Sequence, residues 1–404
     1  MSTTDVTGTS TGGRQAFEPR LGADVLAELQ DRTRAAMAAE GLDALVSDDP
    51  EDVAYLTGFF HHPCERPVAV WLDADGVTLL LPELEREHAG SQHAAVRRLA
   101  VYGEYPGERS PFAALADAVG PAGVVGLGPS ISQRRWESLR RAVTVRDWVP
   151  TELLARTRAV KHPAELALHA EAARITDVML EAGVALVRKG VEAGRLPSEA
   201  ELAAHVGRVG TATMYDEHRD VVVVSPLAGG LVYAGPNSAH PHGLPSATRL
   251  QPGDTFMLSL GCAVGGRFVE GERTFVLGRP TDDQRRYHDA VREAQALGAR
   301  VLRPGTPCAE ANRRCLAVIE EAGLGAYLRH RQGHGIGLGM HEPPWLAPGD
   351  ETPLAEGMVV SNEPGVYVPG HAGYRISDSM LVTADGAVPL TTYPRDLDAC
   401  TIDA

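Results

Sequence analysis

The chemistry-bearing side chains of this chain cluster in its second half, in five short stretches. GGRFVEGERTF places Glu270 and Glu272 two residues apart in a strand-like run. Side chains at i and i+2 share one face of a strand, so both carboxylates point the same way. Taken alone, the pair is compatible with metal ligands, proton handlers, a clamp for a cation or a solvated edge. GPNSAHPHG puts His240 and His242 in a loop ahead of a Pro-Gly-Asp turn. RQGHGIGLGMHEPP sets His334 and His341 among glycines, next to Glu342, while SNEPGVY ends a strand at Glu363 and GYRISDS carries Arg375 on another. Histidine is the side chain whose proton exchanges near neutral pH. Carboxylates held close together repel unless a cation sits among them. His240 has no assigned partner and reads as a loop residue or a substrate contact.

The elements that must position these residues read as α+β, because helices and strands mix without strict alternation. A helical pattern over 25–40 closes at Gly41. It is followed by the strand LDALVSD and a hairpin, VAVWL-DADG-VTLLLP. These belong to a small α/β domain at 21–154, behind a polar tail at 1–20. A second domain, 155–404, restarts at RTRAVKHPAELALHAEAARI, where Pro163 suits the first turn of a helix. Leu168, Ala172, Ile175, Met179, Ala182 and Leu186 then form one apolar stripe. Strands follow (VVVVS, DTFMLSL, RFVEGERTFVL, GMVVSNEPGVYV, YRISDSMLVT), with helices at 283–300 and 308–322.

The formal net charge is -15 over 404 residues, which argues against nucleic acid and anionic membrane surfaces as partners. No apolar run approaches a membrane span, and the N-terminal segment has no apolar core of a secretory signal, so a cytoplasmic protein is expected. The five cysteines (Cys64, Cys262, Cys308, Cys315 and Cys400) have no metal-ligand spacing and suggest no disulfide framework.

The ordered series GPNSAHPHG, PGD…LSLG, GERTF, GHGIGLGMHEPP, EGMVVSNEPGVY and GYRISDSMLVT resembles the motifs of the Xaa-Pro peptidase / creatinase superfamily. The resemblance covers the chain after its tail. It implies a creatinase-like α/β N-terminal domain, a pita-bread catalytic domain and a homodimer. In the superfamily's peptidases two Asp, one His and two Glu bind two divalent metals. The matching positions here are Ser259, Glu270, His334, Glu363 and Ser377. A neutral serine hydroxyl is a poor ligand for a hard dication, and two ions carry a charge of +4 that two carboxylates do not balance.

The active-site pattern resembles the metal-free, creatinase-like branch, with Ser259 in the first metal position and Glu272 where peptidases carry threonine. By that resemblance Glu272 and Glu363 would clamp a substrate guanidinium and His242 would shuttle the proton. Arg66, in CERP, would reach across from the neighbouring subunit to hold a carboxylate. The second carboxylate-binding arginine of creatinase falls here at Trp345. The expectation is a metal-independent, cofactor-free hydrolase of a C–N bond in a small amidine, guanidine, cyclic amidine or amide. Its catalytic residues would be His242, His334, His341 and Glu363. Its substrate-binding residues would be Glu270, Glu272, Arg66 and Arg375, with Arg375 on an acidic end. The alternatives are a metal-dependent Xaa-Pro dipeptidase or aminopeptidase with altered ligands, in which Glu272 substitutes as a ligand, and a lyase or cyclase. A binding module without catalysis is the remaining one.

Overall fold

Short runs of Val, Leu, Ile and Ala bounded by turn residues build the first sheet. The computed structural model describes residues 18–218 and 228–404. Among them, six strands pair in the order Arg98–Tyr102, Gly76–Pro82, Ala69–Asp73, Ala44–Ser47, Ala122–Leu127, Val145–Pro150. The expected hairpin is present, with Ala69–Asp73 antiparallel to Gly76–Pro82. The central strand Ala44–Ser47 is buried throughout, because its two faces feed two cores. Leu45 packs with Leu29, Val53 and Leu79, and Val46 packs with Trp71, Phe112 and Leu139. Continuous burial rather than alternation is what a sheet covered on both faces requires. One helix absent from the sequence reading, Pro50–Thr57, starts where Asp49 accepts a hydrogen bond from the Glu51 amide and Pro50 occupies the first turn.

The restart at Pro163 opens a helix of 30 residues, Pro163–Glu192, in which Glu165 caps back onto the His162 amide. Four of the six residues of its predicted stripe are buried, and Ala182 and Leu186 are half-buried. Leu168, Ala172, Ile175 and Met179 are buried against Leu258, Leu260 and Phe275 of the second sheet. Among the described residues this sheet runs Glu342–Leu346, Gly333–Gly335, Val359–Asn362, Ser377–Thr383, Arg267–Leu277, Thr255–Val264, Ala228–Ala234. The VVVVS run lies outside the described residues, as does 1–17 of the expected tail. Helices Asp282–Val301 and Cys308–Glu321 cover the other half of the sheet. The mixed architecture is α+β.

A two-glycine turn joins the strands Thr255–Val264 and Arg267–Leu277. Gly265 and Gly266 have φ of 54° and 74°, values that a hairpin turn of this hand needs and that glycine adopts at little cost. A side chain at Gly266 would strike the ring of Phe60 in the first domain. The two halves also meet through buried charges. Arg158 donates to Asp52 (2.7 Å) and to Glu342 (3.2 Å), and Lys161 donates to the other oxygen of Glu342 at 2.7 Å. Glu342 lies beside His341, so this buried network anchors the loop that carries a site residue. Among the described residues no helix is long and apolar enough to cross a membrane.

Candidate active site

Alternation along the strands decides which side chains reach the cavity. On Thr255–Val264, Leu258 and Leu260 face the helices, and Ser259 faces away from them. Ser259 is paired in register with Glu272, and Glu272 with Ser377. The three therefore form a row across adjacent strands, with Glu270 two residues along on the same face. His334 comes from the neighbouring short strand Gly333–Gly335, and Glu363 directly follows Val359–Asn362. These walls enclose a cavity of about 1080 Å³ whose lining includes His242, Glu270, Glu272, His334, His341, Glu363 and Arg375. The sheet thus gathers all but one of the expected site residues. The exception is Arg66, which lies at the surface of the first domain in ion pairs with Glu65 and Glu104.

Arg375 departs from its expected role. Its guanidinium is buried and in direct ion contact with Glu272. It also donates to Glu272 Oε1 (2.8 Å), Ser259 Oγ (3.1 Å), Tyr233 Oη (3.0 Å) and Tyr367 Oη (3.1 Å). With these partners it has no hold left for the acidic end of a substrate. Glu272, in turn, is not an open clamp for a substrate guanidinium, because the chain supplies that guanidinium itself. Sequence spacing gave no signal for this pair, which rests on sheet register between residues 103 apart. Tyr233, Tyr367 and His330, whose ring bonds Tyr367 Oη at 2.8 Å, were likewise missed.

His334 is held in one tautomer. Its Nδ1 lies 3.0 Å from the carbonyl oxygen of Gly335, which can only accept, so Nδ1 carries the proton. Nε2 is buried without a hydrogen bond. It sits 3.2 Å from Glu363 Oε1 and 3.8 Å from Glu270 Oε2. A lone pair facing two carboxylates is repelled unless positive charge is placed between them. The titration of the group expresses that demand. Burial, with Glu363 adding to it, pushes the Glu270 carboxyl up to about 8. Burial pulls His334 down, but the adjacent Glu363 and Glu270 outweigh it and push the imidazole up to about 9. Glu363 is held down, to about 2, by His334 against the cost of burial. The trio titrates as a unit that holds protons above neutrality.

The donor set decides which cation arrangement fits. Two ions do not fit. Ser259 and Ser377, at two of the five matching positions, spend their hydroxyls as donors to Glu272 and to Glu270 Oε1, and Arg375 brings its own positive charge to the Ser259 side. One divalent ion does fit, at Glu270, His334 and Glu363. Two carboxylates balance its charge, and donor atoms on a shared ion lie roughly 3–3.5 Å apart, close to the spacings above. Donor atoms of Glu270, His334 and His341 also lie within 4.8 Å of one another. The His341 ring is 3.9 Å from that of His334. Burial first, then the charge of His334, lowers His341 to about 4, keeping it neutral. The bond from His334 Nδ1 to a backbone carbonyl is the outer-shell support such a ligand needs.

Comparison with known proteins bears directly on this arrangement. Residues 167–384 match the metallopeptidase family M24, and residues 30–160 match the creatinase/prolidase N-terminal domain. The probable dipeptidase PepE of Mycobacterium tuberculosis is 32% identical over 94% of this chain and 97% of its own length. The Xaa-Pro dipeptidase of Pyrococcus furiosus is 28% identical over 89% of this chain and 97% of its own. In three dimensions the dipeptidase PepE of Mycobacterium ulcerans superposes with a TM-score of 0.81, at 30% identity over 95% of this chain and 100% of its own. These findings overturn the expectation of a metal-independent, creatinase-like hydrolase of guanidines or amidines. The relatives described above span the chain and are named dipeptidases, and the catalytic half matches a metallopeptidase family. The physical reason the expectation failed is the Arg375–Glu272 pair, which fills the anionic clamp from within.

Proposed function

We infer, from the premise that this chain belongs to metallopeptidase family M24, that it hydrolyses the peptide bond of short peptides, Xaa-Pro dipeptides foremost. The observation that carries this reading is His334 Nε2, buried, without a hydrogen bond and aimed between Glu363 and Glu270. In this reading Glu270, His334 and Glu363, with His341 beside them, would hold one divalent ion. When bound, that ion polarises a carbonyl and makes water a competent nucleophile near neutral pH.

The chain's own groups do the rest. His242 lines the cavity and makes no hydrogen bond among the described residues, which leaves its ring nitrogens for substrate. A departing proline nitrogen must gain a proton as its amide bond breaks, and His242 delivers it. His341, neutral and facing the same space, donates its one ring N–H to the oxygen that gains charge on the tetrahedral carbon. Arg375 and Glu272 neutralise each other and fix the floor of the cavity. A second copy belongs to the reading: a homodimer in which Arg66, which does not reach the cavity of its own chain, faces that of its partner. Analytical ultracentrifugation checks that assembly.

The test is turnover of a panel of Xaa-Pro dipeptides, other dipeptides and creatine, before and after chelation and re-addition of Mn²⁺, Co²⁺ or Zn²⁺. Cleavage of dipeptides that vanishes on chelation and returns with metal is expected. Turnover that survives exhaustive chelation, or that is confined to creatine, would overturn the reading.

A further inference from the structure

The cavity contains a second arginine that the site chemistry leaves unused. Arg331 lines it at half burial, three residues ahead of His334. Its guanidinium lies over the ring of Trp345, 4.7 Å from the centroid, and its Nε donates to the Gly333 carbonyl at 3.0 Å. The two contacts fix one edge and one face. The terminal nitrogens have no hydrogen bond, and no carboxylate pairs with this arginine among the described residues. That contrasts with Arg375, whose nitrogens are all engaged within the protein.

We propose that Arg331 is the anchor for the free C-terminal carboxylate of the substrate, and that this subsite makes the enzyme select dipeptides by their end. Three features support it. First, a guanidinium held by its Nε edge and by an aromatic face presents its two terminal nitrogens as a fork, the geometry that binds a carboxylate through two parallel hydrogen bonds. Stacking on the indole adds cation–π attraction and removes much of the entropy cost of ordering the long side chain. Second, the charge layout has polarity. Glu270 and Glu363 crowd one part of the cavity, whereas Arg331 brings positive charge to the part of the lining that backs onto Trp345. Arg331 and His334 line the same cavity, so one dipeptide can meet both. Third, Trp345 explains why the arginine comes from this position. The residue that the superfamily resemblance would have as a carboxylate-binding arginine is here an aromatic, and Arg331 rests on that ring.

The inference rests on the peptidase reading for the identity of the substrate, but its test is separable. Calorimetric titration of the metal-loaded protein with N-acetylproline and with N-acetylprolinamide compares a carboxylate with its neutral isostere. The wild type is expected to bind the carboxylate at least tenfold more tightly, and Arg331→Met to lose that preference. Arg331→Lys should recover part of it, and Trp345→Leu should weaken it several-fold. In turnover, Arg331→Met should raise KM for Xaa-Pro at least tenfold with kcat within about threefold, and leave KM for the Xaa-Pro amide unchanged. A wild type without preference, or an Arg331→Met variant that keeps it, would overturn the proposal. Carboxylate preference lost in Arg331→Met, in a protein that cleaves no peptide, would sink the peptidase reading and leave the subsite standing.

Discussion

Removing the Glu272 carboxylate should destabilise the catalytic domain by about 3–5 kcal/mol, the cost of leaving a buried charge unpaired. Arg375 is only 4% exposed and Glu272 only 3%. At 2.8 Å and an effective dielectric of about 20, the direct attraction is roughly 6 kcal/mol before desolvation is subtracted. In Glu272→Met the guanidinium keeps the hydroxyls of Ser259, Tyr233 and Tyr367 but no counter-charge. Replacing both partners, in Glu272→Met/Arg375→Met, removes both desolvation costs and refills the space with apolar side chains. The double variant should therefore lie within about 2 kcal/mol of wild type. Urea unfolding monitored by circular dichroism gives all four stabilities, provided the slopes agree. With about 3–5 kcal/mol lost in either single variant and at most about 2 kcal/mol in the double, the coupling energy of the cycle should be about 4 kcal/mol or more. A coupling below about 1 kcal/mol would refute the reasoning, because Arg375 would then be neither dependent on Glu272 nor the cation that occupies the Ser259 side.

Two further outcomes follow from buried groups elsewhere. His288 is fully buried with both ring nitrogens unpartnered, and burial lowers its pKa to about 4. The unfolded chain binds that proton near 6.5, so stability is lost as pH falls from 6.5 toward 4, by about 1.4 kcal/mol per unit. His288→Leu should therefore erase about 2 kcal/mol of the loss between pH 7 and pH 5; urea midpoints at the two pH values that shift equally in variant and wild type would contradict this. Lys161, 2% exposed, holds Glu342, 3% exposed, within the buried network that joins the second domain to Asp52 of the first. Lys161→Met should cost about 3 kcal/mol, less if Arg158 alone retains the carboxylate, and should lower kcat through the His341 loop; thermal unfolding and steady-state kinetics give the two numbers.

The parts of this molecule that were legible in the sequence are those with a local signature. The stripe from Leu168 to Met179, the Pro163 start and the VAVWL-DADG-VTLLLP hairpin each follow from spacing or backbone preference within a few residues. The meeting of His242, Glu270, Glu272, His334, His341 and Glu363 was legible from the order of the motifs. Which of those groups remain free was not. Whether Glu272 is an open clamp or a closed ion pair depends on register between strands more than a hundred residues apart, and on a guanidinium that could equally have faced the substrate. Serine at 259 and 377 was visible as a loss of ligands. That both hydroxyls turn to bond the two glutamates, and so leave one cation position rather than none, required the geometry of His334 Nε2.

The claim at the centre of this account is that the site holds a single divalent ion, with Arg375 in place of a second. Equilibrium dialysis of stripped protein against Mn²⁺ or Co²⁺, followed by elemental analysis, tests it most directly. One ion per chain is predicted, lost in His334→Ala and unchanged in Ser259→Ala. Two ions per chain in the wild type, or one that survives His334→Ala, would contradict it.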